Sequence, residues 1–467
     1  MDVVDESLHE QPFAWAVKTT KLASHCSFCL KKKTETRKLL RCGVCKCVYY
    51  CNSTCQRNDW ADHQIECKRF QRLNELLRTK NFPEEVYESS HEFPDDFLRL
   101  TARLVGKLLD EQNRIFASGG RRFDELETNL AQIINSQDPD AKQKFETFSD
   151  LYAHFVGRRP KKIHKTGLVS VYGKVKTNRL VITDDQQEPV GMGLYLSLSR
   201  IEHSCDPNAA VVFRGKEAVV VPTRKMNFNT PLKWPKIRRA LPDVDTLAPV
   251  EVRQKQLQLE YGMDCECRAC LDQERNDTMV AFACADQLCL GRVLLSSASS
   301  AVCNRCRKAL KADELEEARM AKRLCDSLDD SINNTSDVSK QQEIFLTSAD
   351  LVQATLHKYN IKRLVIMRGA YQSCIMLKRW KEAVKWGRAV LDVYRHYLGE
   401  FDPFLVVFSM NFANVLLSAG ETEDAHKLLT AILDRAEHIF GKHSEAMTYI
   451  EPSFEKKLKK MQDEATD

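Results

Sequence analysis

At 467 residues, with 29% of them charged and a formal net charge of +5, the chain is too long for one ordinary core and should hold two to four domains. No basic excess marks it by composition alone as a nucleic-acid binder. Its 18 cysteines follow a start rich in acid (Asp2, Asp5, Glu6, Glu10) with no apolar leader. That argues against a secreted disulfide framework and for metal-bound thiolates in a reduced, intracellular compartment.

The first element in chain order is a string of paired ligands between Cys26 and Cys67. It reads C-x2-C (Cys26, Cys29), C-x2-C (Cys42, Cys45), C-x3-C (Cys51, Cys55) and H-x3-C (His63, Cys67). Each spacing lets two side chains reach one metal from a tight turn or a helical step, and four such pairs in succession predict two zinc sites. From Lys68 to about Lys165 a helical period is expected, carried by Phe97, Leu98, Leu100, Leu104, Val105, Leu108 and Leu109. Residues 166 to 222 change character. Strands are expected at Gly167–Val171, Arg179–Thr183, Ala209–Phe213 and Ala218–Val221, broken by Asp184-Asp185 and by Gly191 and Gly193.

Three further cysteine groups follow. Cys205 stands alone in Glu202-His203-Ser204-Cys205-Asp206-Pro207-Asn208, and Cys265, Cys267 and Cys270 form a triplet short of one ligand. Cys284, Cys289, Cys303 and Cys306 have the two turns of a zinc ribbon. If Cys205 completes the triplet, every site has four protein ligands, so zinc is expected to be structural, because catalytic zinc keeps an open position. Three zinc sites are expected, with the ribbon a candidate fourth. Cys47, Cys325 and Cys374 remain as ordinary buried thiols.

After the ribbon the pattern turns helical to the end. Ala383, Leu391 and Gly399 recur as Ala425, Leu433 and Gly441, with a weaker unit around Leu351 to Leu377. A small residue at the helix crossing and glycine past the helix end predict stacked, tetratricopeptide-like helical hairpins. The uncharged stretch Pro403 to Gly420 holds Ser409, Asn411 and Asn414, too polar for a membrane span, and is expected to form a soluble helix pair. No membrane association is expected.

These parts resemble the SMYD family. The first cluster looks like a MYND finger, in which pairs one and three share one zinc and pairs two and four the other; Tyr50-Cys51, Cys55-Gln56 and Trp60 are similar to residues such fingers carry. The stretch from Gly191-Met-Gly-Leu-Tyr195 to Glu-His-Ser-Cys-Asp-Pro-Asn208 resembles the heart of a SET domain, and the Cys265 triplet resembles its post-SET loop. The resemblance implies an α+β multidomain chain. Its parts would be a residual SET-flanking segment (1–25), the MYND finger (26–67), a helical insert (68–165), a β-rich SET core (166–264), a post-SET loop with zinc ribbon (265–310) and a tetratricopeptide-like helical domain (311–467). It further implies methyl transfer from S-adenosylmethionine to lysine in histone or other proteins. Proximity and a water-excluding channel would supply the rate. Asn129, the 202 position (here Glu202) and His203 would contact the cofactor, and Tyr261 would line the lysine channel. For His203 a satisfied structural histidine is an equal reading.

Four departures from the family pattern concentrate at the active site. No G-x-G loop precedes the finger, the first glycine being Gly43. Glu202 replaces an asparagine and so lacks an N–H donor. Asp243-Val244-Asp245 stands where Tyr-x-Asp is expected, after a Pro- and Arg-rich run (Pro231 to Pro242) that reads poorly as a strand. Met263 stands where an aromatic would stack on adenine. Two readings follow: a divergent or inactive methyltransferase, or an incomplete or mis-spliced form with a foreign stretch near residues 230 to 242. Weak or absent activity is expected. The alternative is a non-catalytic adaptor taking proline-rich peptides on the finger and using the helical tail as a second surface. Direct DNA recognition is not expected, since the basic run Lys31 to Arg41 reads as a solvated face. A monomer in the nucleus, the cytoplasm or both is expected.

Overall fold

A computed structural model describes residues 9–79, 94–109, 121–128, 139–157, 165–224, 237–286, 288–295, 301–333 and 337–442, together with 444 and 447. The N-terminal segment supplies strands to two sheets. Strand β1 (His9–Glu10) pairs antiparallel with β9 (Glu217–Pro222), beside β8 (Ala209–Arg214). Strand β2 (Ala14–Val17), buried along its whole length, pairs with β6 (Pro189–Leu194), whose other edge takes β5 (Arg179–Thr183). Residues 9–17 are therefore structural members of the central sheets, although the alternation in Ala14-Trp-Ala-Val17 is too short to announce it.

Two short strands, β3 (Leu40–Arg41) and β4 (Tyr49–Tyr50), lead into helix α1 (Ser53–Arg78). Asn52 caps that helix, its side chain accepting from the Cys55 amide at 2.9 Å. The helix runs unbroken past Cys67, so the finger and the insert share one rod. Helices α2 (Asp96–Leu109), α3 (Pro139–Val156) and α4 (Lys165–Asn178) follow. The expected period in α2 is present, with Leu98, Leu100, Leu104 and Val105 buried.

Gly167–Val171 is corrected from strand to helix, since it lies inside α4. Its β-branched composition suggested a strand, but Leu168, Val171, Tyr172 and Val175 are buried at helical spacing. Tyr172 completes an aromatic cluster with Phe97, Phe145 and Phe148, its ring 4.7 Å from that of Phe148. Gly191 and Gly193 are likewise not breakers; they sit in β6 opposite Val17 and Trp15. The Pro- and Arg-rich run also yields a strand. Residues 231–236 lie outside the described residues, but β10 (Arg238–Arg239) pairs in parallel with β7 (Glu202–His203).

Helix α5 (Val250–Tyr261) ends at Gly262, left-handed at φ 66°. Short helices α6 (Arg268–Leu271) and α7 (Gln273–Val280) precede the ribbon strands β11 (Phe282–Ala283) and β12 (Arg292–Val293). Helices α8 (Ala312–Asn333), α9 (Val338–Thr355), α10 (Ile361–Met376), α11 (Trp380–Tyr397), α12 (Pro403–Ala419) and α13 (Thr422–Phe440) then pack as successive antiparallel neighbours. Ala383 and Ala425 are fully buried in α11 and α13. Pro403–Ala419 is one helix rather than a pair, because Asp402 caps its start and left-handed Gly420 its end. Among the described residues no helix is long and apolar enough to cross a membrane.

Candidate metal centres and methyl-transfer site

The folded chain gathers sixteen ligands into four groups whose donor atoms all lie within 4.8 Å of one another: Cys26/Cys29/Cys51/Cys55, Cys42/Cys45/His63/Cys67, Cys205/Cys265/Cys267/Cys270 and Cys284/Cys289/Cys303/Cys306. Pairs one and three share the first site and pairs two and four the second. Cys205 joins the triplet from 62 positions before Cys267, its amide 3.3 Å from Cys267 Sγ. The tight turns are built by local rules. Leu30 and Lys46, each directly after the second cysteine of a C-x2-C pair, adopt φ 60° and 58°. Their amides donate to Cys26 O and Cys42 O at 2.9 and 3.1 Å.

Sets of three or four thiols, one completed by an imidazole, fit tetrahedral zinc. The surroundings of the second centre support that reading. His63 Nε2 lies 3.6 Å from Cys45 Sγ, while its Nδ1 faces Glu66 Oε2 at 3.4 Å, an orientation that aims one ring nitrogen at the metal position. Glu66 is held in turn by Arg99 Nε (2.8 Å) and Arg103 Nε (3.0 Å), and Arg103 reaches Asp59, which accepts from the Tyr50 hydroxyl at 2.8 Å. Burial alone would raise the Glu66 carboxyl; Arg103 and Arg99 win and hold it well below the usual carboxylate range. Arg99 also donates to Val17 O at 2.8 Å, tying the finger to strand β2. Sequence reasoning missed this network. Its signal was the spacing of Asp59, His63 and Glu66 on one helix and of Arg99 and Arg103 on another, in each case on one face.

Of the leftover thiols, Cys325 and Cys374 are buried in the C-terminal core, burial pushing Cys325 up to about 11. Cys47 is half-buried beside the second centre, its Sγ 3.2 Å from Cys45 O.

The turn from Glu202 to Asn208 is held from several sides. Ser204 N donates to Arg239 O (3.0 Å), Arg238 N to Asn208 Oδ1 (2.8 Å) and Thr223 Oγ1 to Pro207 O (2.8 Å). His203 has both ring nitrogens engaged: Nδ1 accepts from Leu241 N at 3.3 Å, which leaves the Nε2–H to donate to Cys205 Sγ at 3.2 Å. Burial lowers this imidazole to about 4, so it is neutral, as that tautomer requires. The exposed Glu202 carboxylate pairs with Arg238 Nη2 at 2.8 Å. Tyr261 donates its hydroxyl to Asp243 Oδ2 at 2.9 Å, and Arg179 Nη2 grips the same carboxylate at 2.9 and 3.0 Å. Burial, with Asp243 opposite, raises the Tyr261 phenol above its ordinary value. Met263 packs half-buried beside Tyr261 against Leu241, Val244 and Leu257. Asn129 lies outside the described residues.

Glu202, both ring nitrogens of His203 and the Tyr261 hydroxyl each have a partner within the protein.

A zinc-stapled finger threaded between the strands of a mixed α+β core, with an all-helical C-terminal part, defines a class that sequence comparison narrows. Residues 26–67 match the family model of the MYND finger. The chain is 27% identical to "SET domain-containing protein 14" of Caenorhabditis elegans over 448 residues, 94% of this chain and 95% of that one. It is 25% identical to "histone-lysine N-methyltransferase SMYD3" of Homo sapiens over 91% of this chain and 85% of the relative. For "N-lysine methyltransferase SMYD2" of Bos taurus the figures are 24%, 87% and 81%. Over most of its length the chain is similar to the SMYD proteins, and its residues 26–67 form a MYND finger.

Proposed function

We propose that this protein is a partner-binding SMYD scaffold whose own lysine-methylating activity is weak or absent. The family makes a lysine-bearing protein the natural substrate class, and relatives carry the names of histone-lysine and N-lysine methyltransferases. One observation carries the reading of weak activity: the Arg179–Asp243–Tyr261 cluster. The hydroxyl assigned to a lysine channel is spent on a carboxylate that is already neutralised by a guanidinium.

Two surfaces support partner binding. Leu40, Val44, Trp60 and Ile65 of the finger are 59%, 56%, 45% and 43% exposed, a share unusual for large apolar groups clustered in one small module. They suit a proline-rich peptide, which brings little ordering entropy to an apolar groove. The C-terminal helices add a concavity of about 370 Å³ lined by Arg388, Leu391, Arg395, Phe412 and Lys427.

The second reading, an active enzyme, is favoured by the fully hydrogen-bonded His203-to-Asn208 turn. Titration calorimetry of S-adenosylmethionine into the purified chain separates the two. No heat of binding is expected, and tight one-to-one binding would overturn the proposal.

A further inference from the structure

The ribbon between Cys284 and Cys306 has almost no core of its own. Its two strands are two residues each, and Leu288 and Leu290 stand 94% and 72% exposed. So small a unit needs a staple to hold one conformation. Its second turn repeats, feature by feature, the turns of the MYND centres. Arg307, directly after Cys306, adopts φ 63°, as Leu30 and Lys46 do after Cys29 and Cys45. Its amide donates to Cys303 O at 3.1 Å, and the Cys303 amide donates to Lys308 O at 2.9 Å, as the Cys26 and Cys42 amides do to Lys31 O and Val48 O at 3.0 and 2.9 Å. Of five non-glycine residues at positive φ among the described residues, three occupy this one position after a C-x2-C pair. Backbone amides also point at the sulfurs: Gly291 N lies 3.4 Å from Cys289 Sγ and Arg305 N 3.4 Å from Cys303 Sγ, donors that suit thiolates.

The ribbon also grips two other parts of the chain. Ala281 O accepts from His357 N (3.1 Å) and from Asn360 Nδ2 (2.8 Å), while Asn360 Oδ1 caps helix α10 by accepting from Lys362 N at 2.8 Å. Phe282 bridges Leu356, and Arg292 pairs with Glu274 of α7 at 3.0 Å. Val293 and Cys303 are fully buried within the core of the C-terminal helices.

We propose that Cys284, Cys289, Cys303 and Cys306 hold a fourth structural zinc, and that this ion clamps helix α7 to the α9–α10 corner at the entry to the helical array. The clamp is independent of the methyl-transfer reading, because no residue in it belongs to the 202–208 turn.

The test uses the full chain. Elemental analysis after exhaustive buffer exchange should give four zinc per chain for the wild type and three for Cys303→Ser/Cys306→Ser. Hydrogen exchange should rise in that variant at residues 281–294 and 356–364 and stay unchanged at 26–67. Should the variant fail to fold, mass mapping of native wild type after iodoacetamide should find the four ribbon thiols protected until a chelator is added. Three zinc per chain with alkylated ribbon cysteines would overturn the metal site, as would a disulfide among them on a non-reducing peptide map. Four zinc with unchanged exchange at 356–364 in the variant would overturn the clamp.

Discussion

At the two-residue turn joining β8 to β9, Gly215 adopts φ +66°, and a Cβ there would stand 2.7 Å from Cys29 O in the first zinc turn. Its neighbour Lys216 sends its ammonium between two rings, 3.4 Å from the centroid of Trp15 and 3.9 Å from that of Phe28. Trp15 Nε1 donates to Ser27 O at 3.0 Å and Tyr195 to Lys216 O at 2.6 Å, so the hairpin tip, strand β2 and the first metal centre form one contact. Burial lowers Lys216 to about 8, whereas the two ring faces favour its cation. The steric feature gives the sharper prediction. Gly215→Ala combines a left-handed backbone with a clash against main chain, which does not yield as a side-chain tip would. It should cost about 2 kcal/mol in urea unfolding. Zinc should also pass faster from the finger to a chromogenic chelator. An unchanged midpoint with unchanged zinc release would show that the tip does not bear on the finger.

Helix α12 shows how a single cap can work against its element at neutral pH. Asp402 accepts from Phe404 N at 2.9 Å and precedes Pro403, a sound helix start. Burial nevertheless outweighs those amide bonds and raises its carboxyl to about 6 from 3.8. A carboxyl raised in the folded state contributes stability that is complete below its unfolded pKa and is lost as pH rises through about 6. An asparagine at this position would keep the accepting oxygen and drop the charge. Asp402→Asn should therefore match wild type near pH 3 and exceed it by about 3 kcal/mol at pH 8, on a scale of about 1.4 kcal/mol per pKa unit. Thermal melts across that range check it, and a variant less stable at pH 8 would refute it. Elements of this kind also show what the sequence discloses. The 3.6-residue period of α2 and the cysteine pairs were legible, because short-range spacing encodes them, whereas the sharing of pairs within the finger followed from the family resemblance and the place of Cys205 from the count of ligands. Helix α4 was misread because Gly167–Val171 is too brief to reveal a period. The contact of Arg179 with Asp243 was invisible, since 64 positions separate the partners and neither carries a local pattern.

On the scale of the whole molecule, the β8–β9 hairpin is a wall with a core on each side. Val212, Val219 and Val221 face the C-terminal helices, while Ala209, Phe213, Ala218 and Val220 face the core that holds the finger and the insert. Strand alternation explains why the run is apolar at nearly every position: both faces are buried. The helices meet this wall through the loop after α11, where Phe401 N donates to Thr223 O at 3.0 Å and the backbone of Gly399 lies against that same carbonyl. Gly399 was read from the repeat as a helix-end glycine. Its place in the fold shows a different need, since any Cβ there would overlap Thr223 O. Gly399→Val should push the helical array off the wall, at a cost of about 2–3 kcal/mol typical of overpacking. Because β9 is buried by that array, the loss should spread. Hydrogen exchange in 217–222 should rise together with that of α11 to α13, and calorimetry should show the helices melting ahead of the zinc-stapled core. Metal content should stay at the wild-type value, which distinguishes undocking from general unfolding. If β9 keeps its protection while the helices lose theirs, the hairpin does not couple the two cores, and each stands on its own packing.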